Sequence, residues 1–166
     1  MVAVGEAAPA FDGRDQNGAP LSVGIAGSAA SSAAASLART PVSGALLLVF
    51  FPWVFTSTCS GEMRALRDSL ALFSERSVGV IGVSCDAMFS QRVWADTEAL
   101  GFRLVSDHWP HGHIARLYGV FDETAGVALR GSFLVDAEGI VRWSLVRGIG
   151  EERTMAEYVA ALGLVS

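Results

Sequence analysis

From Ala45 to Phe51 the chain reads ALLLVFF, an apolar run with no polar break. Such a run fits a strand covered on both faces. SVGVIGVS at 77–84 fits the same description, and FRLVSD at 102–107 fits a shorter strand. Between the first two strands the period changes. Cys59, Met63, Leu66, Leu70 and Phe73 recur at steps of four and three, with Glu62, Arg64, Arg67 and Asp68 mostly off that line. This is the stripe of an amphipathic helix. FSQRVWADTEAL at 89–100 predicts a second helix, ending at Gly101, and HGHIARLYGV at 111–120 predicts a helical turn or two. GSFLVDAEGIVRWSLV at 131–146 alternates around Asp136–Gly139 as a hairpin does. GEERTMAEYVAALGL at 150–164 predicts a terminal amphipathic helix with acids in its first turn. Near the start, FDGRDQNGAPLSV at 11–23 has Gly and Asn turn signals between short apolar pieces, which predicts a hairpin or irregular strand pair. The tract GIAGSAASSAAASLART at 24–40 lacks large apolar residues to dock a helix, so an exposed, mobile Ala/Ser-rich insertion is expected over 26–40.

Strands alternating with helices, then a hairpin and a last helix, predict an α/β protein. Right-handed crossovers place helices on both faces of a mixed central sheet. Sites in such sheets gather where strands end and helices begin. Cys59 lies at one of these junctions.

Composition narrows the options. A chain of 166 residues is expected to form one domain, 1–166, with a core of its own. With 51% hydrophobic and 17% charged residues, disorder of the whole chain is excluded. A net charge of −5 argues against nucleic acid as a partner, since phosphate binding needs a basic face. The longest uncharged apolar stretch, Gly44–Phe55, contains Pro52 and is too short to cross a bilayer. No membrane association and no signal peptide are expected. Two cysteines are too few for a disulfide framework, so a reducing, cytoplasmic setting is the default.

Pro52, Thr56 and Cys59 fit the pattern P-x-x-x-T/S-x-x-C, which resembles the peroxiredoxins. The resemblance extends along the chain through VGEAAPAF (4–11), LLVFFP (47–52), VSCDAMFSQRVW (83–94) and LRGSFLVDAEGIVR (129–142). The segment LVSDHWPHGHIARLYGVFDETAGVALRGSF (104–133) is most similar to the AhpE-type, one-cysteine subgroup. The resemblance implies a thioredoxin-like fold with an N-terminal extension. It implies a thiol-dependent peroxidase acting on hydrogen peroxide or an alkyl hydroperoxide. Cys59 would attack the O–O bond as a thiolate and become a sulfenic acid. Electrons would pass through the thiol with no cofactor.

Ionisation alone cannot supply the rate. An ordinary thiol is about 3% ionised at neutral pH, so full ionisation gains roughly 30-fold, about 2 kcal/mol. A lowered pKa also lowers nucleophilicity. Enzymes commonly supply ~8 kcal/mol or more, so donors aimed at the reacting oxygens must provide most of the effect. Candidates are the backbone N–H groups opening the Cys59 helix and, by the resemblance, Arg130; the Thr56 hydroxyl can both accept from the peroxide and donate to the thiolate. Pro52 would cover the sulfur. Glu62 would either serve the helix dipole or hydrogen-bond Arg130 and orient it. Arg147 and Arg116 are weaker candidates for a second positive charge.

Each residue also has a plainer reading. A lone cysteine in an apolar chain is ordinarily an inert core residue. Thr56 could simply cap a helix, and Arg130 could be a solvated hairpin residue. Trp94 reads as core, whereas Trp53 could line the pocket mouth and touch substrate. His108, His111 and His113 read as a surface loop; their spacing gives no metal site. Trp109 and Pro110 could belong to a subunit interface, since the resemblance implies a homodimer.

The reduced thiol must be regenerated. Cys85 matches none of the family's resolving positions and reads as a buried strand-end residue. The expected reductant is therefore external: a low-molecular-weight thiol such as mycothiol, with a mycoredoxin-like or thioredoxin-like protein. Two alternatives stay open, a two-cysteine cycle through Cys85 and a peroxide sensor that relays oxidation to a partner. A thiol–disulfide oxidoreductase generally needs C-x-x-C, and Ser60, Gly61 and Glu62 follow Cys59 instead.

Overall fold

A computed structural model describes residues 1–24 and 44–165. The expected Ala/Ser-rich insertion at 26–40 lies outside the described residues. The first turn-rich segment is an antiparallel pair, β1 (Phe11–Arg14) with β2 (Pro20–Val23). The apolar run forms β3 (Ala45–Phe50), followed by α1 (Ser57–Asp68), α2 (Leu70–Ser74) and β4 (Val78–Ser84). Next come α3 (Met88–Thr97), β5 (Arg103–Ser106) and α4 (His113–Tyr118). A two-stranded ladder, β6 (Phe121–Asp122) with β7 (Val127–Ala128), precedes the hairpin β8 (Arg130–Val135) and β9 (Val141–Arg147), and α5 (Met155–Leu162) follows.

The main sheet has the order β5-β4-β3-β8-β9. β3, β4 and β5 run parallel, β8 is antiparallel to β3, and β9 is antiparallel to β8. β3 is therefore central, which accounts for its unbroken apolar sequence. Leu47 and Val49 pack on one face with Met63, Leu66, Trp94 and Tyr158. Leu46, Leu48 and Phe50 pack on the other with Ile114, Tyr118 and Phe133. Each fully buried Leu or Phe contributes roughly 1.5–3 kcal/mol.

Three boundaries differ from the periodicity. The helical stripe is interrupted at Ser69 and continues as α2, yet Met63, Leu66 and Phe73 still share one core. α3 stops at Thr97, and Ala99 turns left-handed at φ 51° before Gly101 is reached. α5 begins at Met155, not near residue 150, because Thr154 is its N-cap and pairs with Glu157 in a capping box. Glu151 stays in the preceding turn, accepting from the Gly148 N–H at 2.9 Å. The β6–β7 ladder was not predicted; two residues per strand show no period to read.

Candidate active site

The loop after β3 brings the thiol to the sheet edge. Phe51 continues the strand direction, its N–H donating to Val83 O at 3.0 Å, and Pro52 is buried beside it. Phe55 then adopts φ 64°, left-handed for a residue with a side chain. That conformation costs roughly 1–2 kcal/mol. It redirects the chain into Thr56, which is extended at φ −75° and ψ 147° and opens α1. Cys59 falls in the first turn of α1 and is 0% exposed. The N–H groups of that turn have no carbonyl partner within the helix, and the helix dipole is positive there.

Arg130, the first residue of β8, reaches the sulfur. Its Nη1 lies 3.4 Å from Cys59 Sγ and 2.7 Å from Glu62 Oε2. Its Nε donates to Ile149 O at 2.7 Å, which fixes the plane of the guanidinium. Glu62, on α1, is also buried. Glu62 thus stands in direct hydrogen bond to Arg130 and lies beyond the first turn of α1.

The second positive charge is Arg153, which sequence reasoning missed. Its Nη2 donates to Glu62 Oε2 at 2.7 Å, and its Nε and backbone N–H donate to Glu62 Oε1 at 3.1 and 2.8 Å. Its Nη1 contacts Phe50 O, Gly131 O and Ser132 Oγ at 2.9, 3.0 and 3.0 Å. Burial pushes the Glu62 carboxyl pKa up, but the bonds and charge of Arg153, then the charge of Arg130, outweigh burial and hold it below the ordinary value. One carboxylate between two guanidiniums leaves one positive charge uncompensated at the sulfur. Arg147 and Arg116 serve elsewhere: Arg147 pairs with Glu157 at 2.6 Å and Arg116 with Glu123 at 2.8 Å. The signal for Arg153 was Thr154-x-x-Glu157, a capping box that leaves residue 153 outside the helix.

Thr56 does not cap α1 with its side chain. Its hydroxyl donates to Trp53 O at 3.3 Å, so with that proton committed the oxygen can only accept from a further partner. Trp53 is exposed beside the loop, whereas Trp94 is core and donates its Nε1–H to Ser60 Oγ at 3.0 Å. His108 contacts Cys85 O at 3.3 Å, His111 contacts Gly126 O at 2.6 Å, and His113 opens α4. Among the described residues no cluster of His, Cys, Asp and Glu could hold a metal.

Cys59 and Cys85 are both free thiols. Cys59 packs with Leu47, Met63 and Trp94 on one side of the sheet. Cys85, just past the end of β4, is buried as well. Burial, and then the nearby Asp107 charge, push the Cys85 thiol up to about 12.

The sequence model of the AhpC/TSA family matches residues 4–144. The chain belongs to the AhpC/TSA family. Its activity is that of a peroxiredoxin, thiol-dependent reduction of peroxides. Among relatives, alkyl hydroperoxide reductase E of Mycobacterium tuberculosis (strain ATCC 25618 / H37Rv) is 36% identical over 167 aligned positions, covering 100% of this chain and 99% of that protein. The chloroplastic 2-Cys peroxiredoxin BAS1 of Spinacia oleracea is 32% identical over 124 residues, 70% of this chain and 46% of that one. The crystal structure of Enterococcus faecalis AhpC superposes with a TM-score of 0.78 at 25% identity, covering 98% of this chain and 92% of that one. The family's thioredoxin-like fold thus accounts for the five-stranded mixed sheet and its flanking helices.

Proposed function

We propose that Cys59 carries the peroxide chemistry, with Arg130, Thr56 and Pro52 completing the catalytic group and Glu62 and Arg153 holding Arg130. The observation that carries this reading is the 3.4 Å approach of Arg130 Nη1 to Cys59 Sγ. The thiolate attacks one peroxide oxygen. An S–O bond forms, the O–O bond breaks, and the leaving oxygen takes a proton to depart as water or an alcohol. Cys59 is left as a sulfenic acid. Arg130 and the first-turn N–H groups stabilise charge as it moves onto the leaving oxygen. The Thr56 hydroxyl accepts from the peroxide O–H. Pro52 excludes water from the sulfur, and Trp53 lines the entrance.

An external thiol then attacks the sulfenic sulfur, releasing water, and a second thiol exchange restores Cys59. A low-molecular-weight thiol such as mycothiol, working with a mycoredoxin-like or thioredoxin-like protein, fits the similarity to alkyl hydroperoxide reductase E. The burial of Cys85, whose thiol is pushed up to about 12, supports an external reductant over an internal disulfide. The chain works in the cytoplasm as one domain spanning 1–166, in keeping with its two free thiols. A homodimer is supported by Trp109 and Phe89, 85% and 70% exposed, which flank a cleft of about 570 Å³.

The test is stopped-flow oxidation by hydrogen peroxide followed by tryptophan fluorescence. Parent protein should react far faster than free cysteine, and Cys59→Ser should show no phase at all. Reaction at the free-cysteine rate would rule out the assignment. Sedimentation of Trp109→Ala tests the dimer: a shift toward monomer is expected, and an unchanged parental dimer excludes that face.

A further inference from the structure

Asp86 follows Cys85 just past the end of β4, outside the group of residues around the sulfur. Its Oδ2 accepts from Ser84 Oγ at 2.8 Å and from the Val54 backbone N–H at 3.1 Å. Ser84 is itself held by Gln91 on α3, whose Nε2 donates to Ser84 Oγ and to Val105 O, both at 2.9 Å. Ser106, at the end of β5, donates to Asp86 O at 2.7 Å. Two strands and a helix therefore fix this carboxylate, and it reaches the active-site loop at Val54.

Val54 immediately precedes Phe55, the residue at φ 64°. A side-chain-bearing residue persists in the left-handed region only where its surroundings over-determine it. Phe55 is more than half exposed, so packing of its own ring does not supply that restraint. Hydrogen bonds on either side do. The Val54 N–H is held by Asp86, and the Thr56 hydroxyl closes back onto Trp53 O at 3.3 Å. Without the Asp86 bond, Phe55 is free to relax toward ordinary backbone angles. The chain entering α1 would then rotate, carrying the Thr56 hydroxyl with it.

We propose that Asp86 is a positioning residue for peroxide reduction: through the Val54 N–H it locks the turn from Trp53 to Thr56 and so fixes the Thr56 hydroxyl relative to Cys59. This inference rests on the role assigned to Thr56 above. Loss of one hydrogen bond to a carboxylate corresponds to a rate change of about tenfold or more where it is felt fully in the transition state.

The experiment measures the second-order rate of Cys59 oxidation by hydrogen peroxide. Asp86→Ala should be about tenfold slower than parent. Asp86→Asn should stay near the parental rate, because an amide oxygen can accept from both Val54 and Ser84. An Asn variant as slow as the Ala variant overturns the hydrogen-bond route. Thr56→Val completes a cycle that a general loss of structure would not reproduce. In that background Asp86→Ala should add little, since its effect runs through Thr56; full additivity overturns the proposal. Slow Thr56→Val with parental Asp86→Ala sinks Asp86 alone, whereas a parental rate for Thr56→Val sinks the role of Thr56 first. Should Asp86→Ala fail to fold, Ser84→Ala carries the test by removing the hydroxyl that aims the carboxylate. A slower rate supports the proposal, and an unchanged rate overturns it.

Discussion

Arg153 grips both oxygens of Glu62, with Nη2 2.7 Å from Oε2 and Nε 3.1 Å from Oε1. Both side chains are buried. Alone with Arg130, Glu62 would neutralise the guanidinium that faces the sulfur. Arg153 supplies the second positive charge, so in the proposed mechanism Arg130 retains one for the thiolate and for the charge that develops on the leaving oxygen. The proposed mechanism thus divides the labour between a group that touches the reacting atoms and a group that holds it in place.

Arg153→Met should therefore damage both stability and rate. Removing one partner of a buried pair costs roughly 3–5 kcal/mol, because the other is left uncompensated. Cys59 oxidation should slow at the same time, since Arg130 is drawn to Glu62. Urea unfolding and stopped-flow oxidation on the same preparation check both. Adding Glu62→Gln to Arg153→Met should recover much of the stability. A double variant less stable than the single one would show that the carboxylate is not what Arg153 compensates.

Much of this arrangement was legible in the sequence, and the exceptions have physical reasons. ALLLVFF and SVGVIGVS declared themselves as strands because burial on both faces leaves no polar break. Cys59 could be placed at a strand–helix junction because the period changes there. Arg130 and Thr56 came from resemblance, since no periodicity marks a residue that meets its partner across the sheet. Arg153 escaped because it lies in a connection, 91 positions from Glu62, and the acids around it resembled a helix start. The bond from Val54 to Asp86 was equally invisible: a backbone N–H leaves no trace in the sequence.

Acid should weaken the protein through Glu62. Its folded-state pKa lies below the ordinary 4.5, so the unfolded chain takes up this proton first as pH falls. The stabilisation from Glu62 is thus complete above about pH 4.5 and is lost as pH drops through the lower folded-state value. Glu62→Gln should have a lower urea midpoint at neutral pH. Its further decline between about pH 5 and about pH 3 should be shallower than that of the parent. Parallel declines would mean that Glu62 contributes nothing to the acid transition.

Cys85 should prove dispensable for turnover. Its thiol is buried and pushed up to about 12, so almost none is ionised at neutral pH. Whole-protein mass after one equivalent of peroxide should rise by one oxygen, reversibly with dithiothreitol. Cys85→Ser should oxidise at the parental rate. A loss of two hydrogens instead, absent in Cys85→Ser, would establish a Cys59–Cys85 disulfide and a large rearrangement of the sheet edge.

Gly82 tests how tightly the core behind the site is packed. It pairs with Val49 and Leu104 in the middle of the sheet. A methyl group there would sit 2.6 Å from Leu104 Cδ2 and 3.3 Å from Phe51 Cε1. The first distance is a clash, and overpacking of this kind costs roughly 1–3 kcal/mol. The second matters for function. Phe51 packs against Trp94 with ring centroids 5.2 Å apart and the planes tilted by 40°, and Trp94 holds Ser60, the neighbour of Cys59. Gly82→Ala should lower the urea midpoint and also slow Cys59 oxidation, because displacement of Phe51 is felt on both Pro52 and Trp94. Leu104→Ala in the same chain should relieve the clash and return part of both losses. If the double variant recovers stability but not rate, then the path from Gly82 to the thiol does not run through Leu104 and Phe51.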